Sequence, residues 1–208
     1  DRSDKLKYMS RFTFAALASV VLSSVAAAQQ VPGRELFDFP LGLSAEAPTL
    51  SALMPAGLWN PATSAVKPGA RAAVGFAGLT TPVEQGVNLA MAGAEALTVH
   101  GLTASLSYAQ ASVRDIFRTT TDPQTSGGDI PYSTSLVSLG LAKAQGPVTF
   151  GVAARMRSAR FDDETSSVGG FDAGAVADRP WGIPLRVAAS TFMFSPQANR
   201  DPVTYAIA

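Results

Sequence analysis

Few residues in this chain could carry covalent or metal chemistry. The sequence contains no cysteine, which excludes a thiol nucleophile, a disulfide framework and a zinc–thiolate site. The single histidine, His100, stands in the short stretch VHG, which is typical of a turn. No G-x-S-x-G or H-E-x-x-H motif accompanies it. We therefore predict no enzyme activity, no catalytic residue, no resident metal and no cofactor, with His100 as a plain turn residue.

Asp162, Asp163 and Glu164 form a cluster of carboxylates, which are the ligands that calcium prefers. The cluster lacks the alternating spacing and the glycine of a dedicated calcium loop. A solvated acidic loop is the favoured interpretation. The other charged candidates are Arg155, Arg157 and Arg186. Their role depends on the strands that carry them and on the face to which those strands direct them.

Composition limits the environment of the protein. The chain has 16 Lys and Arg against 16 Asp and Glu and therefore carries no net charge. Without a net positive charge to attract nucleic acid, we exclude nucleic acid as a partner. Only 15% of its 208 residues are charged, against about 25% in ordinary soluble domains. We infer that something other than water covers part of the surface.

The N-terminal region resembles an export signal. Residues 9–29 show a basic start at Arg11, an apolar stretch at 12–25 and the small residues 26–28, which predicts a cleaved secretory signal peptide; a buried N-terminal helix is the alternative. Residues 1–8 are interpreted as an upstream extension. After cleavage, no segment contains the ~20 apolar residues of a transmembrane helix.

The rest of the chain divides at about residue 70. Residues 30–69 are predicted to form a periplasmic lead-in and plug-like segment, extended over 31–49 and with a short helix plus turn in 50–66. Residues 70–208 predict an all-β fold with about eight antiparallel strands. The predicted strands are 70–79, 86–98, 102–117, 132–144, 148–161, 169–178, 183–194 and 202–208.

Both a β-sandwich and a transmembrane β-barrel alternate apolar and polar residues, as Val137, Leu139 and Leu141 do here. We favour the barrel because predicted connections after even strands are short, as in the tight turn 145–147, and those after odd strands are long and polar. The long class contains 80–85, 118–131, 162–168 and 195–201, and the short class 99–101, 145–147 and 179–182.

The alternation also assigns the two faces of the predicted strands. Lipid-facing positions are Leu102, Ala104, Leu106, Tyr108, Leu185, Val187 and Ala189, whereas Thr103, Ser105, Ser107, Arg186 and Ser190 point inward. Tyr108, Tyr132 and Trp181 are assigned to aromatic girdles. Arg155, Arg157 and Arg186 are predicted to line the lumen and to meet an anionic solute or carboxylates of the plug; solvated lumen charge is the alternative.

The sequence LWNPAT at 58–63 resembles the Asn-Pro-Ala element of the FadL superfamily of outer-membrane barrels, although Thr63 stands where that family has a small residue. The stretches 100–116 and 170–178 are similar to its PorV-like branch. The resemblance implies a barrel of about fourteen strands with Asn60 and Pro61 in a lumenal plug. The present chain would then be incomplete, because it stops within a strand; an eight-stranded barrel is the alternative.

The leading functional hypothesis is an outer-membrane barrel that passes hydrophobic solutes or assists protein secretion. Its expected partners are outer-membrane lipid, a hydrophobic or anionic amphipathic solute, and secretion machinery. A structural or adhesive surface barrel, binding through loops such as 118–131, is the alternative. A barrel lipase would need His100 beside a serine.

Overall fold

One antiparallel β-sheet dominates the structure, a computed structural model that describes residues 31–44, 47–51, 56–67, 69–80, 86–97, 99–118, 127–179, 183–195 and 204–207. Every strand pairs with its neighbours in sequence, and the sheet is curled like half a barrel. The strands are β1 (Arg71–Thr80), β2 (Gly86–Leu97), β3 (Leu102–Arg114), β4 (Tyr132–Gln145), β5 (Val148–Phe161), β6 (Glu164–Asp178), β7 (Arg186–Phe192) and β8 (Thr204–Ile207). The predicted all-β antiparallel fold is confirmed. The predicted signal peptide and Trp181 lie outside the described residues.

The β4–β5 hairpin shows how local sequence sets the register. Gln145 pairs with Val148, so only Gly146 and Pro147 form the turn. Gly146 has a φ of 60°, a left-handed conformation that glycine adopts without a steric penalty. A positive φ at the first turn residue suits the twist of a two-residue hairpin. The tight connection predicted here is confirmed.

Two predicted connections are wrong. β6 begins at Glu164, so a two-residue turn at 162–163 replaces the predicted loop 162–168. The polar residues Thr165 and Ser167 resembled loop sequence, but they continue the hairpin by pairing with Arg160 and Ser158. The β6–β7 connection spans 179–185 and is longer than predicted. Connection length therefore does not separate barrel from sandwich in this chain.

The N-terminal segment, residues 31–67, is partly helical rather than extended. A 3-10 helix at Arg34–Phe37 leads into the short α-helix α1 at Phe39–Ser44. The prediction of an extended stretch over 31–49 is wrong, because Pro40 is compatible with the first helical turn and the apolar side chains of Leu36 and Leu41 are buried together. A further 3-10 helix, Pro61–Ala65, lies within the predicted short helix and turn.

The N-terminal segment packs against one face of the sheet, which we call the inner face. Its apolar side chains form a cluster with strand residues from β2, β3, β4 and β7. The cluster contains Leu36, Phe37, Leu41, Leu58 and Trp59 together with Leu89, Met91, Leu136 and Phe192. Among the described residues, no helix has the length and apolarity to cross a membrane. The opposite face of the sheet, the outer face, carries no such cover among the described residues.

The two faces have the reverse of the polarity found in a water-soluble sheet. The exposed outer face carries the large apolar side chains Leu106, Tyr108, Val137, Leu139, Leu141, Phe150, Val152, Met156 and Phe171. The buried inner face carries Thr103, Ser105, Ser107, Thr134, Ser138, Arg155, Arg157, Asp172 and Ser190. The predicted inward direction of Thr103, Ser105, Ser107 and Ser190 is confirmed.

Tyr132 departs from its predicted place in an aromatic girdle. It alternates with the buried residues Thr134 and Leu136 and therefore lies on the inner face. Its Oη donates a hydrogen bond of 3.0 Å to Glu35 Oε1 in the N-terminal segment. A tyrosine near a strand end has the same sequence signal whether it contacts lipid or a lumenal segment, which explains the error.

Candidate functional site

The site that gathers the predicted residues is the contact between the N-terminal segment and the inner face. Glycines in β5 and β6 make this contact possible. A methyl group at Gly151 would collide with the backbone of Pro61 and Ala62, and one at Gly174 would collide with the side chain of Asn60. The 3-10 helix Pro61–Ala65 can therefore lie directly against the strand backbones, because the two glycines carry no side chain that would block it.

Asn60 and Pro61 begin this 3-10 helix. The Asn60 Oδ1 accepts a hydrogen bond of 3.0 Å from the Ala62 N–H, which caps the helix. The Asn60 Nδ2 donates to the Thr49 carbonyl oxygen at 2.8 Å. Pro61 follows the cap, where its missing N–H costs no helical hydrogen bond. Both residues thus fix the shape of the N-terminal segment on the inner face.

Arg155 and Asp172 form a buried ion pair at the centre of the site. Their side chains are 2% and 0% exposed, and the Arg155 Nε contacts the Asp172 Oδ2. Arg155 also lies over the Phe192 ring, with its guanidinium carbon 5.0 Å from the ring centroid. Asp172 Oδ1 accepts a hydrogen bond of 3.2 Å from the Phe194 N–H. The carboxylate that Arg155 contacts thus belongs to β6, whereas the prediction offered an anionic solute or a carboxylate of the plug-like segment.

Three charged strand residues contact the backbone of the N-terminal segment. Arg157 Nη1 donates to the Pro32 carbonyl at 2.7 Å, and Arg155 Nη2 approaches the Gly57 carbonyl at 3.5 Å. Glu95 Oε2 accepts a hydrogen bond of 2.8 Å from the Ala56 N–H, and its carboxylate is also paired with Arg71. We infer that these side chains anchor the segment, since a charged group strengthens each hydrogen bond.

Little free space remains beside the two central arginines. The cavity lined by Arg155, Arg157, Leu136 and Met193 has a volume of about 10 Å³. That volume holds no more than about one water molecule. In this conformation the arginines therefore bind the N-terminal segment, and a solute could reach them only if the segment moved.

Arg186 is not part of the central cluster. Its side chain alternates with Ala188 and Ser190, but it is exposed at the start of β7 and pairs with Asp178 at 3.3 Å. His100 is exposed in the 3-10 turn Val99–Gly101, with a φ of 67°. The structure therefore brings together Arg155 and Arg157, but neither Arg186 nor His100 joins them.

The predicted acidic cluster is divided between a turn and a strand. Asp162 and Asp163 form the β5–β6 turn, and Glu164 begins β6. Asp162 Oδ1 lies 2.5 Å from Arg118 Nη2, so a cation from the chain already neutralises it. Within the described ranges, no group of three or more His, Cys, Asp or Glu side chains could hold a metal ion.

Asp172 and Glu95 are the site residues that sequence reasoning missed. Both carry a signal that could have found them. Asp172 lies between the outward Phe171 and Ala173, and Glu95 lies between alanines in β2. A single carboxylate in an otherwise apolar or small-residue strand is expected on the face that carries the other polar side chains. In β6 it also matches the inward arginine predicted on the preceding strand.

Outside the strands, burial raises the pKa of the Asp38 carboxyl group, and the Arg34 guanidinium nearby partly offsets that rise.

No protein-family model, curated protein sequence or solved structure matches this chain. The resemblance to the FadL superfamily therefore stays a prediction. The class that the structure defines is an all-β sheet with reversed polarity and a charged inner face under its own N-terminal segment.

Proposed function

We propose that this chain forms the wall of a transmembrane β-barrel in a bacterial outer membrane and passes hydrophobic solutes or assists protein secretion. The reversed polarity of the sheet is the observation that carries this proposal. A water-soluble sheet exposes its polar side chains, whereas a membrane barrel presents apolar side chains to lipid and polar ones to its lumen. The outer face of this sheet has the second arrangement.

Along β5 the apolar surface has the length that a bilayer requires. Outward residues of β5 are apolar from Val148 to Met156, and Ser158 ends the run. A tilted transmembrane strand needs about 9–11 residues. Ser158 pairs directly with Ser135 of β4 and Ser167 of β6, and Ser135 pairs with Gln110 of β3. The polar boundary is thus aligned across four strands, as expected where a membrane ends.

A membrane-embedded sheet also needs its edges paired, because lipid offers no hydrogen bonds to an open edge. β1 pairs with β2 and β8 with β7, and their other edges have no partner strand among the described residues. The proposed barrel therefore requires further strands, from the same polypeptide or from a second copy, between β8 and β1.

The N-terminal segment is the plug in this proposal. It covers the inner face, and strand charges contact its backbone at Pro32, Ala56 and Gly57. Contacts made to the backbone hold the segment as a unit, and the space beside the arginines admits no solute while it stays there. Passage of a solute beside the arginines therefore requires the plug to shift.

The proposal predicts which strand residues contact lipid. The chain has no cysteine, so Leu139→Cys and Ser133→Cys each introduce a single labelling site on the outer face of β4. We expect a fluorophore on the Leu139→Cys variant to be quenched by nitroxide groups deep in the bilayer. A fluorophore on the Ser133→Cys variant, just beyond the aligned polar boundary, should be quenched less by these nitroxides and more by iodide in the water. Full-length protein reconstituted into vesicles is the sample.

Ser133 serves as the matched control because it shares the strand and the face of Leu139. Equal quenching of both labelled variants by iodide, with no effect of the lipid nitroxides, would show a sheet in water and contradict the membrane proposal. Boiling before electrophoresis in SDS provides an independent check, since a closed barrel changes its migration only when it is heat-denatured.

A structural surface barrel is the second candidate, and the close packing of the N-terminal segment on Arg155 and Arg157 favours it, because a segment that never moves keeps solutes away from this part of the inner face. Uptake of a fluorescent fatty acid into vesicles separates the two. If the plug gates passage, Arg157→Leu removes its hydrogen bond to Pro32 and should raise uptake several-fold. Arg160→Leu, an outward arginine near the end of the same strand, is the control and should leave uptake unchanged. No uptake in any variant would favour the structural role.

A further inference from the structure

A groove on the outer face of β1, β2 and β3 has an apolar part and a polar part. The apolar part has a volume of about 510 Å³, and the polar part about 540 Å³. The apolar part is lined by Ala72, Val74, Ala92, Ala94, Leu106 and Tyr108. The polar part is lined by Phe76, Asn88, Ala90, Gln110, Ser112 and Arg114. The outward residues of β3 pass from one set to the other in sequence, so the two parts lie end to end along this strand.

The small outward side chains of β2 create this groove. Ala90, Ala92 and Ala94 leave a channel between larger side chains on the two neighbouring strands. Val74 of β1 pairs with Ala92, and Ala92 pairs with Tyr108 of β3, so the channel has an apolar wall on each side. Its shape therefore suits an elongated apolar group such as an acyl chain.

The polar end of the groove is cationic. Arg114 is exposed and is not paired with a carboxylate among the described residues that line this end. Tyr108 Oη donates a hydrogen bond of 3.0 Å to Gln110 Oε1, which leaves the Gln110 amide N–H groups available as donors. Asn88 pairs in register with Ser112 and adds further donors beside them. This combination of a guanidinium, amides and a hydroxyl complements a phosphate group.

The depth of Arg114 agrees with the position of a lipid headgroup. It lies four positions along β3 from Gln110, which belongs to the aligned polar boundary. That separation is about 13 Å along the strand, or roughly 9 Å along the membrane normal for a strand tilted by about 45°. An acyl chain in the apolar part would thus place its headgroup phosphate near Arg114.

We propose that this groove binds one anionic, phosphate-bearing membrane lipid, with an acyl chain along the alanines of β2 and the phosphate at Arg114. This inference rests on the proposed function, because it requires the outer face to contact the bilayer. An arginine suits this site better than a lysine would, since its guanidinium can bind a phosphate through two hydrogen bonds.

Native mass spectrometry of the full-length protein in a mild detergent tests the site. The probes are dioleoylphosphatidylglycerol, which is anionic, and dioleoylphosphatidylcholine, which carries no net charge. We expect one phosphatidylglycerol molecule to be retained in preference to phosphatidylcholine. Arg114→Gln should weaken phosphatidylglycerol retention about tenfold, the effect of losing a charge-assisted hydrogen bond. Ala92→Phe fills the apolar part and should weaken retention of both lipids.

Arg160→Gln is the matched control, because Arg160 is also an exposed outward arginine near this end of the sheet but lies outside the groove. Equal loss with Arg160→Gln, or no loss with Arg114→Gln, would overturn the site. Heat-dependent migration in SDS confirms that each variant has folded. A wild-type barrel that inserts into membranes but shows no lipid preference would refute this inference alone. A wild-type protein that does not insert would refute the proposed function as well.

Discussion

Replacing Leu139 with arginine is expected to destabilise the protein in a bilayer by about 2–4 kcal/mol, the cost of a cation on the lipid face near the membrane midplane. Leu139 lies on the outer face of β4, where it pairs with Leu106 of β3 and with Ala154 of β5, and it is 49% exposed. In water, arginine at such an exposed site would change the free energy of unfolding by no more than about 0.5 kcal/mol. The substitution therefore distinguishes a membrane sheet from a soluble one.

Ser135→Arg provides the matched control. Ser135 lies on the same strand and face as Leu139, but it belongs to the aligned polar boundary with Gln110 and Ser158. At this depth the cost of arginine falls to about 0–1 kcal/mol. Urea unfolding of the full-length protein in phospholipid vesicles, followed by tryptophan fluorescence, measures both variants. Equal stabilities of Leu139→Arg and Ser135→Arg would argue against the bilayer.

Most of the sheet could be predicted because alternation is a local property of the sequence. Thr149, Gly151 and Ala153 alternate with Val148, Phe150 and Val152, and one face of β5 follows from that pattern alone. The same pattern separates Leu106 from Ser105 and Ser107 in β3. The assignment of faces succeeded wherever the apolar set was large and the alternate set was small or polar.

The errors have a different physical origin. Thr165 and Ser167 resemble loop residues because β6 extends past the apolar part of the outer face, where its outward side chains become polar. Tyr132 was assigned to lipid because its partner Glu35 is distant in sequence. α1 was missed because six residues give no measurable helical period, and its stability depends on burial of Leu41 against the rest of the core.

The central site was predicted only in part, because its contacts join residues that are distant in sequence. The inward direction of Arg155 and Arg157 followed from alternation, but their contacts depend on the fold. The pairing of Ala153 with Asp172 brings the Asp172 carboxylate beside Arg155, and this register was not available from residue types. The backbone carbonyl of Pro32 carries no sequence signal as a partner, since every residue has one.

Breaking the buried Arg155–Asp172 pair is expected to have the largest effect on the inner face. Asp172→Leu leaves the Arg155 guanidinium buried without its counter-ion, which costs about 3–5 kcal/mol. The double variant Arg155→Leu/Asp172→Leu should recover most of that loss, because no buried charge is left without its counter-ion, although the Phe194 N–H and the Gly57 carbonyl lose their partners. Urea unfolding of the full-length proteins in vesicles measures each free energy.

The double-variant cycle also reports on the N-terminal segment, since Arg155 approaches the Gly57 carbonyl as well as Asp172. If the pair serves only the strand wall, the double variant should protect the N-terminal segment from a protease as well as wild type does. If Arg155 anchors the N-terminal segment, cleavage within residues 31–67 should accelerate in the double variant although its global stability is restored. Equal stability of Asp172→Leu and wild type would contradict a buried, charged pair at this site.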